Sequence, residues 1–150
     1  MESVGFTGTR HGMTVPQTKT LADLLMRFKQ EGFGEFWHGG CIGADTEAAK
    51  MAKLAGFYIV EFPSLIPGTR GDAPGDEILE PDDPLDRNKK IASCPVLIAC
   101  PKEDHEIRRS GTWATIRYAV HGMSDVYVIL PNGTKKDGMF LVKPPKDEDA

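Results

Sequence analysis

Residues 4–12, which have the sequence VGFTGTRHG, decide the fold. The apolar start of this stretch predicts a buried strand that ends at Gly8, where the chain turns. A helix is predicted to begin at Thr14, because the spacing to Gln17 matches a capping box, and to end at Gly32. Apolar residues of this helix recur at the helical period at 21, 24, 25 and 28. A short strand followed by an amphipathic helix is the opening unit of a parallel α/β sheet.

The same alternation continues along the chain. Further strands are predicted at 36–38, 57–62, 96–99 and 126–130, and further helices at 45–55, 85–93 and 110–121. Because crossovers between parallel strands are right-handed, this pattern predicts a Rossmann-like, three-layer α/β/α fold with a mainly parallel sheet. We expect one domain over residues 1–150, with a core at about 4–130 and a peripheral tail at 131–150. The end of the tail, 144–149, is expected to fray.

Composition and charge narrow the possible partners. The chain is 40% hydrophobic and 27% charged, and its net charge of -4 disfavours nucleic acid as a partner. No apolar run approaches the ~20 residues of a membrane helix, and no secretory leader opens the chain, so we expect a cytoplasmic protein without a membrane partner. The three cysteines form an odd set without a C-x-x-C pair, which predicts reduced thiols.

Three predicted loops at the carboxyl edge of the sheet carry a candidate binding site. In doubly wound sheets, ligands bind beyond the carboxyl ends of the strands, where the winding reverses. Glycines let the backbone approach an anion, and arginine binds a phosphate through two donors. The predicted ligand-binding residues are Thr7, Gly8, Thr9 and Arg10 after the first strand, Gly39, Gly40, Gly43 and Asp45 after the second, and Arg109, Ser110, Gly111 and Thr112 after the fourth.

The last two of these loops lead directly into predicted helices, whose free N–H groups and dipole attract an anion. Asp45 has two interpretations: it is the N-cap of its helix, or its carboxylate holds a ribose hydroxyl. Arg87 and Asn88 lie in the helix before the fourth strand and are expected to face the same edge. Trp113 either stacks on a base or belongs to the core. The dinucleotide fingerprint G-x-G-x-x-G is absent, so no nicotinamide dehydrogenase is expected.

The sequence predicts neither a metal site nor a cofactor. His38 and Cys41 have a ligand-like spacing, but a structural zinc site needs four ligands. Seven acidic residues crowd the stretch 72–86, where a solvated loop is the expected outcome. Magnesium enters the prediction only as a possible companion of a phosphate ligand.

Five short blocks follow one another along the chain: Gly-Phe-Thr-Gly-Thr-Arg at 5–10, Gly-Gly-Cys-Ile-Gly-Ala-Asp at 39–45, Arg-Asn at 87–88, Ala-Cys-Pro at 99–101 and Ser-Gly-Thr-Trp at 110–113. In this order they resemble the SLOG superfamily of Rossmann-like nucleotide-binding proteins, which includes the LOG phosphoribohydrolases and the DNA-processing protein A family. The resemblance covers about residues 4–130. It implies a nucleotide or nucleotide-derived ligand, a nucleoside phosphate or an ADP-ribose-like compound, and a homodimer.

The resemblance also carries two alternative functions. LOG enzymes release a base from a nucleoside monophosphate and have a catalytic Glu soon after a Pro-Gly-Gly-x-Gly-Thr motif. Here Gly111-Thr112 is kept, but Arg109-Ser110 precedes it and residues 114–116 are Ala-Thr-Ile, so an N-glycosidase would need another acid, with Asp45 as the candidate. The second alternative is a non-catalytic regulatory or single-stranded DNA-binding protein. The primary prediction is a nucleotide-binding protein.

Overall fold

The computed structural model describes residues 2–144, which form a seven-stranded sheet covered by helices on both faces. The strands are β1 (Glu2–Gly8), β2 (Phe33–His38), β3 (Tyr58–Glu61), β4 (Glu77–Ile78), β5 (Val96–Cys100), β6 (Asp125–Ile129) and β7 (Lys135–Asp137). The helices are α1 (Val15–Gln30), α2 (Ala44–Leu54), α3 (Pro84–Ala92) and α4 (Gly111–His121), followed by a 3₁₀ helix (Gly138–Phe140). Within residues 2–144, no helix is long and apolar enough to cross a membrane.

The sheet has the order β4-β3-β2-β1-β5-β6-β7, and all its pairings are parallel except that of β6 with β7. The chain builds outward from β1 on one side and then returns to add β5 on the other side. The winding therefore reverses between β1 and β5. This arrangement confirms the predicted Rossmann-like, three-layer α/β/α fold.

Two apolar cores lie on the two faces of the sheet, and β5 shows how one strand serves both. Val96, Ile98 and Cys100 pack with α1 and α2, while Leu97 and Ala99 pack with α3 and α4. Side chains alternate between the faces of a strand, so a continuous apolar run fits a strand that is covered on both sides. Trp113 is fully buried in the second core, which decides its interpretation in favour of packing.

Helix α1 begins with the predicted capping box. The hydroxyl of Thr14 accepts a hydrogen bond from the backbone N–H of Gln17, and the Gln17 carbonyl accepts one from the N–H of Thr14. The side-chain amide nitrogen of Gln17, Nε2, also donates to the backbone oxygens of Pro101 (2.8 Å) and Ile129 (2.9 Å). One buried side chain thus joins the start of α1 to the carboxyl ends of β5 and β6, the edge at which the predicted site lies.

Two short strands were not predicted. β4 lies inside the Pro- and Gly-rich stretch 63–84 and adds two residues to one edge of the sheet, and β7 pairs with β6 at the other edge. Both are too short to show a period-2 pattern, so only their tertiary pairing defines them. Beyond β7, Val142 is buried in the second core. Residues 145–149, most of the segment expected to fray, lie outside the described residues.

Replacing Gln17 by Ala is expected to lower the free energy of unfolding by about 2 kcal/mol, because two buried carbonyl oxygens lose their donor. Urea unfolding followed by circular dichroism measures the change. Thr18→Ala is the matched control, since that hydroxyl is exposed and bonds only the carbonyl of Thr14 in its own helix. Equal unfolding free energies for the two variants would contradict this role of Gln17.

Candidate functional site

The carboxyl ends of β1, β2 and β5 surround a cleft of about 430 Å³. Because the winding of the sheet reverses here, the cleft lies at the switch point where open α/β sheets bind ligands. The structure brings most of the predicted ligand-binding residues together in its wall. These are Thr7, Gly8, Thr9, Arg10, Gly39, Asp45, Arg87, Asn88, Arg109, Ser110, Gly111 and Thr112.

The loop after β1 is fixed by its backbone. The N–H of Thr9 donates to the oxygen of Cys100 (3.1 Å), and the oxygen of Thr9 accepts from the N–H of Ala44 (3.0 Å). Gly8 is required by the same packing, since a Cβ there would lie 2.5 Å from the Cβ of Ala44. Arg10 is exposed and lines the cleft. A rigid backbone therefore presents one guanidinium to a ligand.

Gly40 and Gly43, two of the predicted ligand-binding residues, do not line the cleft, and they shape the turn after β2. Both have positive φ, 71° and 86°. A Cβ on Gly40 would lie 2.7 Å from the carboxyl group of Glu61, and one on Gly43 would collide with the backbone oxygen of Arg10. These glycines let the loop after β2 pass close to its neighbours.

Asp45 is not the N-cap of its helix, which was the first of its two interpretations. Helix α2 begins one residue earlier, with Gly43 as its N-cap, and the Asp45 side chain folds back over the glycine turn. Its Oδ2 accepts a hydrogen bond from the N–H of Cys41 (3.2 Å), whereas Oδ1 is buried without a partner among the described residues. Burial raises the pKa of Asp45 to about 6. Asp45 therefore anchors the turn and adds a titratable group to the cleft wall.

Arg87 lies at the cleft as predicted, but its guanidinium is buried and donates hydrogen bonds to backbone oxygens of the protein. The residue is 7% exposed, and its Nη1 donates to the backbone oxygens of Gly39 (2.6 Å) and Phe62 (3.2 Å). A Cβ on Gly39 would collide with this nitrogen. Arg87 thus joins the loop after β2 to the end of β3, and it contributes positive charge to the cleft from below its surface.

The start of α4 forms part of the cleft wall. Ser110 is the N-cap and accepts a hydrogen bond from the N–H of Trp113 (3.2 Å). Gly111 is exposed, and a Cβ there would meet only the Asn88 amide, at 4.0 Å. The first turn of α4 has no acidic residue, whereas the first turn of α2 contains Asp45 and Glu47. Carboxylates offset the positive end of the dipole, so α4 attracts an anion more strongly than α2.

The cleft is cationic although the chain carries a net charge of -4. Among the charged residues in its wall, the cations are Arg10, Arg87, Lys102 and Arg109, and the anions are Asp45 and Glu103. Glu103 is also engaged, since its Oε1 accepts a hydrogen bond from the indole N–H of Trp113 (3.0 Å). This local excess of positive charge indicates an anionic ligand.

The spacing of His38 and Cys41 does not form a metal site. His38 is fully buried, and its Nδ1 accepts a hydrogen bond from the N–H of Gly40 (3.0 Å), which places the ring proton on Nε2. Burial lowers the pKa of His38 to about 4, so the ring is neutral near pH 7. Among residues 2–144, no three His, Cys, Asp or Glu side chains are grouped to hold a metal ion.

The acidic stretch 72–86 is used for structure. Asp76 pairs with Lys53, and Asp82 pairs with Lys90 (2.8 Å). Asp83 caps α3 by accepting a hydrogen bond from the N–H of Leu85 (3.0 Å). These carboxylates belong to the exterior of the loop and not to the cleft wall.

The sequence analysis missed one wall of the cleft, the segment 64–71, which we call the strap. Ser64, Ile66, Gly68 and Thr69 of this segment line the cleft. Lys102, at the start of the loop after β5, was also missed. The available signal was Glu61, a charged residue at the end of a buried strand, because buried carboxylates need a partner. That partner is Arg70 of the strap, whose Nε lies 2.8 Å from Glu61 Oε2.

Solved structures that are similar to this chain include two proteins with names that state a ligand. The molybdenum cofactor binding protein from the phototrophic bacterium Rippkaea orientalis matches with a TM-score of 0.66 and 22% identity, over 86% of this chain and 76% of that chain. The Moco carrier protein from Chlamydomonas reinhardtii matches with a TM-score of 0.58 and 24% identity, over 87% and 76%. At these identities the likeness shows the fold alone. No protein-family model matches the chain, and neither does any curated protein.

The expectation that no cofactor is involved is corrected by this likeness. Both similar structures are of proteins whose names state that they bind or carry the molybdenum cofactor. The sequence blocks resemble nucleotide-binding proteins and contain no metal-ligating cluster, so they gave no reason to expect a cofactor. The prediction that no cofactor is involved is therefore not retained.

Stability is expected to depend on His38 at acidic pH. The pKa of His38 is about 4 in the folded state and 6.5 in its ordinary state, so below about pH 6.5 protons bind the unfolded chain first. The free energy of unfolding is therefore unaffected by protonation of His38 above about pH 6.5. It decreases by about 3 kcal/mol as the pH falls from there toward about 4. Urea unfolding of the wild type and His38→Asn between these pH values measures it, because Asn retains an acceptor for Gly40 and does not titrate. A difference between the two proteins that does not change with pH would contradict the buried neutral ring.

Proposed function

We propose that this chain binds a phosphorylated heteroaromatic small molecule in the cleft, with its phosphate at the start of α4. The observation that carries the proposal is the convergence of Arg109, Lys102 and Arg10 on a cleft into which an acid-free helix N-terminus opens. The N–H groups of Gly111 and Thr112 lie in the first turn, where no carbonyl of the helix reaches them. Helix N-termini of this kind bind phosphate, and arginine adds two parallel donors.

The molybdenum cofactor is the first candidate ligand. It is a phosphorylated pterin, and the two similar structures are of proteins named for binding or carrying it. The described residues fit such a group: Gly111 leaves space at the phosphate end, and the cationic wall offsets the negative charge. Arg109, Lys102 and the start of α4 would hold the phosphate. When bound, the cofactor would supply a molybdenum centre, and the chain would supply the cationic wall of the cleft.

A nucleotide is the second candidate, and it has the same overall chemistry of a phosphate ester joined to a heteroaromatic ring. The blocks shared with the SLOG superfamily support it, and we propose membership of that superfamily from the combination of blocks and fold. Binding is favoured over base release, because α4 has no acid after Gly111-Thr112. At 115 a threonine donates its hydroxyl to the oxygen of Gly111 (2.8 Å), and at 116 an isoleucine is buried. Catalysis by Asp45 stays a prediction of the sequence.

Arg109→Ala is expected to weaken binding about tenfold, because one charge-assisted contact to the phosphate is lost. The neighbouring Arg108→Ala is the matched control, since Arg108 is exposed and does not line the cleft. Isothermal titration calorimetry with guanosine 5′-monophosphate gives the affinities of the three proteins. If both variants retain the wild-type affinity, the phosphate does not lie at α4.

The cofactor is tested separately. We expect wild-type protein, mixed under nitrogen with molybdenum cofactor released from a purified molybdoenzyme, to retain molybdenum through gel filtration. Arg108→Ala should retain the same amount and Arg109→Ala less, measured by metal mass spectrometry. Binding of guanosine 5′-monophosphate without retention of molybdenum would assign the cleft to nucleotides. Failure to bind either compound would overturn the proposed function.

A further inference from the structure

The cleft has an apolar side that a phosphate site does not explain. Ile42 and Ile66 both line it, and their side chains are 45% and 53% exposed. A single exposed isoleucine on a protein surface needs no explanation. Here two come from different segments, the loop after β2 and the strap, and both belong to the wall of the same cavity.

The strap is held against the loop after β2 by backbone hydrogen bonds. The N–H of Ile42 donates to the oxygen of Thr69 (3.0 Å), and the N–H of Gly71 donates to the oxygen of Gly40 (2.7 Å). Between these bonds, Cys41 and Arg70 form an antiparallel bridge. The two segments thus form a short ladder, which holds Ile42 against residues 69–71 of the strap.

Two further contacts hold the two ends of the strap, a side-chain ion pair and a backbone hydrogen bond. Arg70 Nε lies 2.8 Å from Oε2 of Glu61, which is 1% exposed, so the ion pair ties the strap to the end of β3. At the other end, the N–H of Leu65 donates to the oxygen of Asp82 (2.8 Å). Gly71 permits the close approach, because a Cβ there would collide with the hydroxyl of Thr46. The apolar side of the cleft is therefore tied to β3 and to the loop after β2 by contacts within the protein.

The apolar and cationic sides lie on opposite flanks of the β1 loop. In the sheet, β2 lies on one side of β1 and β5 on the other. Ile42 and the strap follow β2, whereas Lys102, Arg109 and the start of α4 follow β5. A ligand that fills the cleft across the β1 loop meets the exposed cations Lys102 and Arg109 at one end. At the other end it meets the exposed residues Ile42 and Ile66, while the charge of Arg87 on that side is buried against backbone oxygens. An aromatic ring joined to a phosphate has these two ends.

We propose that Ile42 and Ile66 bind the flat face of the ligand's heteroaromatic ring and so determine specificity for ring-bearing phosphate esters over phosphorylated sugars. This inference rests on the proposed phosphate site at α4. The isoleucine side chains bury apolar area against the ring, which a sugar phosphate without a base cannot offer. The phosphate contacts, in contrast, are common to both kinds of compound.

The test compares two probes, guanosine 5′-monophosphate and ribose 5-phosphate, whose affinities are measured by titration calorimetry or chemical-shift changes. The wild type should bind the nucleotide more tightly than the sugar phosphate. Ile66→Ser should reduce the ratio of the two affinities about fivefold, because most of the apolar contact of one side chain is lost. Arg109→Ala should weaken both probes alike and leave the ratio unchanged.

Leu65→Ser is the matched control, because Leu65 is adjacent in the strap, 64% exposed and absent from the cleft wall. It should leave both affinities as in the wild type, and thermal unfolding checks that each variant is folded. Equal affinity of the wild type for the two probes, or an unchanged ratio in Ile66→Ser, would overturn the ring-binding role while leaving the phosphate site in place. If the wild type binds neither probe, the ring-binding role is overturned as well, and the phosphate site itself is wrong if the chain also fails to retain the molybdenum cofactor.

Discussion

The burial of the Arg87 guanidinium between the ends of β2 and β3 is the constraint around which the site is arranged. A buried cation is costly unless hydrogen-bond acceptors surround it. Here the acceptors are backbone oxygens of Gly39 and Phe62, which stand free where the strands end. Gly39, in the loop after β2, gives room to this guanidinium, because a Cβ there would collide with it. The next residue, Gly40, gives room to the carboxylate of Glu61.

The same region contains the buried side-chain polar atoms that lack a hydrogen-bond partner among residues 2–144. Four buried side-chain atoms lack a hydrogen-bond partner there: His38 Nε2, Asp45 Oδ1, Glu61 Oε2 and Arg87 Nε. Glu61 Oε2 is close to Arg70, but as an ion pair without hydrogen-bond geometry. Buried polar groups without partners reduce stability, so natural proteins keep few of them, and these tend to lie at functional sites. Their grouping beside one cleft sets this edge of the sheet apart from the rest of the molecule.

Much of the fold could be predicted because its signals are local. The capping box at Thr14, the helical period of α1 and the apolar run of β5 each fit within one element, and the structure has all three. β4 and β7 could not be predicted in this way, since a two- or three-residue strand exists only through its neighbour. The wall formed by the loops after β1 and β5 was also predictable, because carboxyl ends of adjacent parallel strands meet at one edge.

The remainder of the site depends on contacts between residues far apart in the chain. A glycine before a helix suggests a ligand contact, yet Gly43 is required by the backbone of Arg10. Asp45 resembles an N-cap, but helix α2 begins one residue earlier, directly after Gly43, which has a positive φ. The carboxylate of Asp45 instead accepts a hydrogen bond from the N–H of Cys41. The strap has no periodic pattern, and its place at the cleft follows from the pairing of Arg70 with Glu61. Spacing along the chain does not contain such information.

Binding of a small molecule and binding along a nucleic acid require different distributions of charge. Binding along a polynucleotide requires basic side chains spread over many phosphates, usually with aromatic side chains for stacking. In this chain of net charge -4, cations converge on a cavity of about 430 Å³, the size range of sites for single small molecules. The indole of Trp113, in the first turn of α4, is buried in the core and bonded to Glu103. The cationic side chains of the cleft wall are thus gathered around one cavity and not arranged with an exposed Trp113 ring.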